Sequence, residues 1–285
     1  MPDPSFVIPL FLQSALLPFA VALIALLVLR APRLAPLAPL LALAAGFLAS
    51  YVAVYHAQWS FAPHQSLDWL PWIVLFGAAG VVATENAAPT VLRHLARLTI
   101  SLSCAALVAW PALASAGLPK AVLPVAATGG LMFAAWTYLS ATVKQRPTPV
   151  LMLAVVAGGA ALALMLDSSQ LIGQLSGALA TTLVACLAFN VPRVRTAFSG
   201  AATGLAVLLL GTLLANAYFY AGFSIAYVLL LVGGLLADPL VAGINRLRQR
   251  SDGVGAWATA GLLTAIPVLT TLGLAIRAAQ ESGGY

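Results

Sequence analysis

Charge is what this sequence has least of. Of its 285 residues only 7% are charged and 62% are hydrophobic, where a soluble globular chain carries about 25% charged residues. The mean hydropathy is +1.03. A chain of this kind lacks the polar surface needed to face water all round, which excludes a soluble domain. Cysteine is also scarce. Cys104 and Cys186 lie inside apolar runs without metal-ligand spacing, so both read as small packing residues and no disulfide is expected.

Several motifs are missing as well. The sequence has no P-loop, no Rossmann glycine motif, no His-Glu-x-x-His, no Cys-x-x-Cys and no Gly-x-Ser-x-Gly elbow. No pair of intramembrane histidines stands at haem-ligand spacing. Nucleotide, redox and soluble hydrolase chemistry therefore have no visible equipment, and neither cofactor nor metal is expected. The reading is of a non-enzyme.

What is present is a series of apolar runs separated by short polar turns, the pattern of an all-α polytopic membrane protein. About 20 apolar residues are needed to cross about 30 Å of hydrocarbon. On that criterion spans are predicted at 6–29, 37–55, 69–86, 98–114, 121–143, 150–166, 171–189, 198–218, 223–243 and 256–275, within one integral membrane domain covering 1–285. Between Phe198 and Gly243 the only charge is Asp238. A helix through that stretch would be about 69 Å long at 1.5 Å per residue, so the chain must double back. The turn is expected at Asn216–Gly222, with tyrosines at the interface.

Basic residues fix the orientation. With the N-terminus outside, the inner turns hold Arg30 and Arg33; Arg93 and Arg97; Lys144 and Arg146; Arg193 and Arg195; and Arg246, Arg248 and Arg250. Only Lys120 and Arg277 fall outside. Adding or losing one span would destroy this segregation, so ten spans with both termini on the non-cytoplasmic side are expected. Asp3 precedes a first apolar run of 24 residues with no base before it, which predicts a first span and not a cleavable signal peptide. The net charge of +6 thus serves topology and anionic headgroups, with the lipid bilayer as the expected partner and no nucleic acid. The break at Lys144–Pro149 divides the spans five and five, a layout open to two inverted halves. The compact, Ala- and Leu-rich style points to a bacterial inner membrane.

Chemistry-bearing residues crowd into His56–Arg97. That stretch contains His56, His64 and His94, three tryptophans (Trp59, Trp69, Trp72), and Asp68 and Glu85. Ionisable groups in hydrocarbon are costly and are functional candidates by default. Glu85, beside Asn86, ends the third span, and Asp238 lies near the inner end of the ninth. Together they are the candidate coupling or substrate-path residues. Each also has a plain structural reading: Glu85 paired with Arg93 or Arg97, and Asp238 as an N-cap before Pro239. In the outer loop, His64 and Asp68 stand four apart, a spacing that can orient an imidazole or contribute to a metal site. The tryptophans around them fit interfacial anchors.

A small secondary transporter or permease, proton- or cation-coupled, fits this pattern best. Behind it come a non-catalytic subunit of a larger membrane complex or homo-oligomer, and then an intramembrane lipid-modifying enzyme using His64 and Asp68, or Glu85. Size and span number resemble those of the drug/metabolite transporters, but none of their motifs is present and no residue role is carried over.

Overall fold

The computed structural model describes residues 4–31, 34–87, 89–116, 118–143, 148–190, 196–237 and 254–281. Among them every regular element is helical: α1 (Pro4–Phe11), α2 (Leu17–Val28), α3 (Ala38–Tyr55), α4 (Leu70–Asn86), α5 (Thr90–Ala116), α6 (Leu118–Val143), α7 (Thr148–Asp167), α8 (Gln170–Phe189), α9 (Gly200–Tyr220), α10 (Ile225–Leu235) and α11 (Val254–Glu281). Nine helices among the described residues are long and apolar enough to cross a membrane. The ninth predicted run, 223–243, is described only to Ala237 and holds the 11-residue α10. Helices suit this composition because lipid offers the backbone no hydrogen bonds, so each span must satisfy its own.

Where a span departs from α geometry, neighbours supply the missing partners. α1 and α2 form one span joined by a π-turn at Leu12–Leu16. There the Leu17 N–H donates to Leu12 O, which leaves Gln13 O without its usual donor. The Ser50 hydroxyl of α3 donates to it at 2.7 Å. Pro18 has no N–H to offer Ser14 O, and the Thr181 hydroxyl of α8 reaches that carbonyl at 3.4 Å. The N-terminal span is thereby hydrogen-bonded to both of the helices it packs on.

Short turns make antiparallel neighbours of α7 and α8, of α5 and α6, and of α2 and α3, and α11 lies along α7. Serine N-caps open three helices. Ser169 accepts from Ile172 N at 3.4 Å, Ser199 from Ala202 N at 3.1 Å, and Ser224 from Ala226 N at 3.3 Å. α9 is the axis of the molecule: it touches α3 to α8 and also α10. Of the residues in its most apolar 18-residue stretch 83% are buried, against 22% for the N-terminal span. A helix that is apolar all round belongs at such a centre.

The pairing is uneven between the two halves of the chain. α7 and α11 pack extensively, whereas α2 and α6, their counterparts under a five-and-five division, share no comparable face among the described residues. The turn expected at Asn216–Gly222 begins later than the sequence suggested. α9 continues to Tyr220, and the chain reverses at Gly222, whose φ of +71° is a left-handed value that favours glycine. Asn216 is a buried helical residue because its amide bonds within the helix, Nδ2 donating to Thr212 O at 3.1 Å.

Candidate functional site

Two polar clusters sit at opposite ends of α9. The one at the end that the basic residues predict to be inner starts from Glu85, in the last turn of α4, and the other is called outer on the same expectation. The link to α5 is so short that the first turns of α5 lie beside the end of α4. The Arg93 guanidinium donates to Ala87 O at 2.9 Å, capping a helix end that would otherwise leave carbonyls bare. One turn further on, Arg97 forms an ion pair with Glu85, and the two side chains are only 5% and 13% exposed. The Arg97 guanidinium lies 5.5 Å from the ring centroid of Trp136 in α6, a cation–π arrangement in a dry setting.

The N-terminal turn of α9 closes this cluster through two glycines. A Cβ at Gly200 would come within 2.7 Å of Glu85 Oε2, and one at Gly204 within 2.5 Å of the Trp136 ring. Gly200 and Gly204, four residues apart, present the same face, so the helix approaches closely where side chains would collide. The Ser140 hydroxyl of α6 donates to Gly200 O at 3.4 Å. Arg97 Nε, Trp136 Nε1 and Ser101 Oγ are buried without a hydrogen-bond partner among the described residues. Chemically the cluster is a clamp joining α4, α5, α6 and α9, with donors left over.

The outer cluster starts from Asp68, 1% exposed in the short 3-10 turn Ser66–Trp69. Its carboxylate accepts from the backbone amides of His64 and Gln65, each at 2.9 Å, and from the Tyr55 hydroxyl at 3.1 Å. The four-residue spacing therefore joins Asp68 to the His64 backbone, and the acid serves as a loop cap. Beside this loop a cavity of about 370 Å³ is lined by His64, Gln65, Ser66, Ser169, Asn216 and Tyr220, among others. The loop 64–67, the outer end of α5, the α7–α8 turn and the C-terminal end of α9 converge here, all on the side away from Arg93 and Arg97.

Tyr220 has a particular role at this end. Pro111 interrupts α5, and the Tyr220 hydroxyl donates to Val108 O at 2.8 Å while accepting from Ala112 N at 3.2 Å. In an unbroken helix that amide and that carbonyl would bond to each other. The tyrosine hydroxyl thus bridges the two groups of one rung beside Pro111, where the proline removes an N–H from the ladder.

The remaining sequence candidates are dispersed. His56 Nδ1 lies 2.9 Å from Val52 O, and His94 Nδ1 lies 2.8 Å from Thr90 O, each on its own helix surface. Asn86 is exposed beside Glu85. Asp238 lies outside the described residues, as do Lys144, Arg146, Arg193 and Arg195. Trp59, Phe61, Trp72 and Phe76 form a chain of ring contacts 5.2–6.3 Å apart on the outer loop and α4, as interfacial anchors do. Among the described residues no three His, Cys, Asp or Glu side chains gather as a metal site. Trp136, Ser140 and Tyr220 were not legible as site residues in the sequence; the Gly200–Gly204 pair and a proline inside a long apolar run were the available signals.

Fold and clusters together define a polytopic helical membrane protein, integral to its bilayer. No protein-family model matches the chain, and no curated protein or solved structure matches it either.

Proposed function

We propose that the chain is a small secondary transporter or permease for a small solute, held here open on one face and closed on the other. The observation that carries this reading is the asymmetry of α9. One end borders a cavity of mixed polar and apolar lining that reaches buried Asn216, and the other is shut by the largely buried Glu85–Arg97 pair. Alternating access needs such a two-ended axis, in which one closure must break as the other forms. Glu85 then acts as a gate residue, and proton or cation coupling would operate by loosening its bond to Arg97. The basic end would face the cytoplasm of a bacterial inner membrane, with the cavity outside.

The test needs no identified substrate. In a background with Cys104 and Cys186 replaced by Ala, a cysteine introduced at Thr203, fully buried near the inner end of α9, should react slowly with a water-soluble maleimide from the cytoplasmic side. Glu85→Gln should speed that reaction several-fold. Equal rates would remove the gate. Cysteine at position 146 should label only from the cytoplasmic side, and outward labelling would overturn the orientation.

A second reading, a non-catalytic subunit of a membrane assembly, is favoured by the near-complete burial of α9 and by the engagement of Glu85 with arginine. Co-purification of a stoichiometric partner after mild extraction, with no effect of Glu85→Gln on labelling, would favour it.

A further inference from the structure

We infer that the outer cavity takes a small uncharged polar solute of the amide or polyol kind and rejects its charged isosteres. The inference deepens the transporter reading and rests on it for physiological meaning, but the binding chemistry can be tested separately.

Three observations support it. First, among the described residues no permanent charge lines the cavity. Two carboxylates stand within two residues of lining positions, and neither lines the cavity: Asp68 is engaged by two backbone amides and the Tyr55 hydroxyl, and Asp167 accepts from the Ser168 hydroxyl at 3.1 Å. Second, the polar part of the lining consists of side chains that both donate and accept, set among the apolar Leu67, Pro111, Ile172 and Ala221. An amide carries two N–H donors and an acceptor oxygen. Asn216 commits one donor to Thr212 O, which leaves its acceptor and second donor; Gln65 Oε1 accepts from the Tyr55 hydroxyl at 3.3 Å, which leaves the Gln65 amide N–H groups, and Ser66 adds a hydroxyl. A pairwise donor–acceptor surface suits amides and hydroxyl groups. An ion entering the cavity would lose hydration without a countercharge, which is strongly unfavourable. Third, the volume of about 370 Å³ is near the lower end of ligand pockets, about 300–1,000 Å³, which favours a solute of few heavy atoms.

Near-isosteric pairs provide the test: acetamide against acetate, and urea against guanidinium. Binding is read by saturation-transfer NMR on the full chain in nanodiscs, and uptake by osmotic swelling of proteoliposomes. Acetamide and urea should bind while their charged partners do not. Asn216→Leu should weaken binding about tenfold, the loss expected for one hydrogen bond, and Gly130→Ala, on α6 where a Cβ meets nothing within 4 Å, should leave it unchanged. His64→Lys, on the exposed loop, places a permanent charge at the mouth without touching the core, and acetate should then become detectable. Acetate or guanidinium binding as well as the neutral probe, or acetamide binding indifferent to Asn216→Leu, would overturn the inference. Continued exclusion of acetate by the His64→Lys protein would do the same. Selective binding without swelling would support the inference while overturning the transporter reading on which its physiological meaning rests.

Discussion

The two ends of α9 solve the same problem in opposite ways. Both bring polar groups to the buried axis of an apolar bundle, about 24 Å apart from Gly200 to Asn216 at 1.5 Å per residue. The inner end uses full charges and excludes space: Glu85 and Arg97 are paired, Trp136 lies on Gly204, and a single added carbon at Gly200 would strike the carboxylate. The outer end uses neutral amides and hydroxyls and leaves a cavity, with the Asp68 carboxylate turned into the loop. Burying charge is costly unless it is paired, and a pair in low dielectric holds firmly once made. Neutral hydrogen bonds are weaker and can be exchanged for those of a solute. On the proposed reading the inner end is the lock and the outer end the receptor.

The largest expected effect follows from breaking the lock. Arg97→Leu removes one partner of the largely buried Glu85 carboxylate and should cost up to about 3–5 kcal/mol, the range for breaking a buried ion pair from one side. Thermal unfolding in mild detergent would show it as a large fall in Tm. Replacing both Glu85 and Arg97 by Leu should recover most of that loss. If the single variant melts with the wild type, the pair is not a clamp.

Next comes Gly204→Ala. Its Cβ would meet the rigid Trp136 ring at 2.5 Å, so overpacking should cost about 1–3 kcal/mol. Gly130→Ala is the control on α6, where a Cβ meets nothing within 4 Å. That change should be neutral or stabilise by up to about 1 kcal/mol through helix propensity. Equal Tm shifts for the two variants would mean that α9 does not rely on the close approach.

At the outer end the effects should be smaller. Asp68→Asn removes the charge from a cap that holds two backbone amides and a tyrosine hydroxyl. The expected loss is about 1–2 kcal/mol, since hydrogen bonds to charged groups exceed neutral ones. Hydrogen exchange at the His64 and Gln65 amides should accelerate, with no change around Arg97.

The contrast between the ends also explains what the sequence could disclose. The apolar runs were legible because the bilayer sets their length, and helices occupy nearly all of them. At the inner end the short link from Glu85 to Arg93 and Arg97 limited the partners to two, and the ion pair falls on one of them. The choice of Arg97, and the placing of Trp136 against Gly204, depend on how α6 and α9 pack, which no local pattern encodes. At the outer end the His64–Asp68 spacing was visible, but spacing cannot tell an imidazole from a backbone amide as the partner. Asn216 read as a turn residue because its neighbours are tyrosines and a glycine. In the folded chain the helix outruns that pattern, and one of those tyrosines is used elsewhere.

That tyrosine gives the smallest expected effect and the most diagnostic one. Tyr220→Phe removes the hydroxyl that bridges Ala112 N and Val108 O, worth about 1 kcal/mol or less as a neutral hydrogen bond. The deletion alone would not separate a structural rung from a generic surface contact. Pro111 does, because its missing N–H and its ring are what prevent α5 from running straight past this point. With Pro111→Ala the ladder can run straight through this point, so that the Ala112 amide and the Val108 carbonyl depend less on the hydroxyl. Tyr220→Phe should therefore cost more stability in the wild type than in the Pro111→Ala background, a coupling that a double-mutant cycle measures directly. Simple additivity would mean that Tyr220 merely rests on α5. Coupling would mean that the outer end of α9 holds α5 open, on the same helix whose Arg97 locks the inner end.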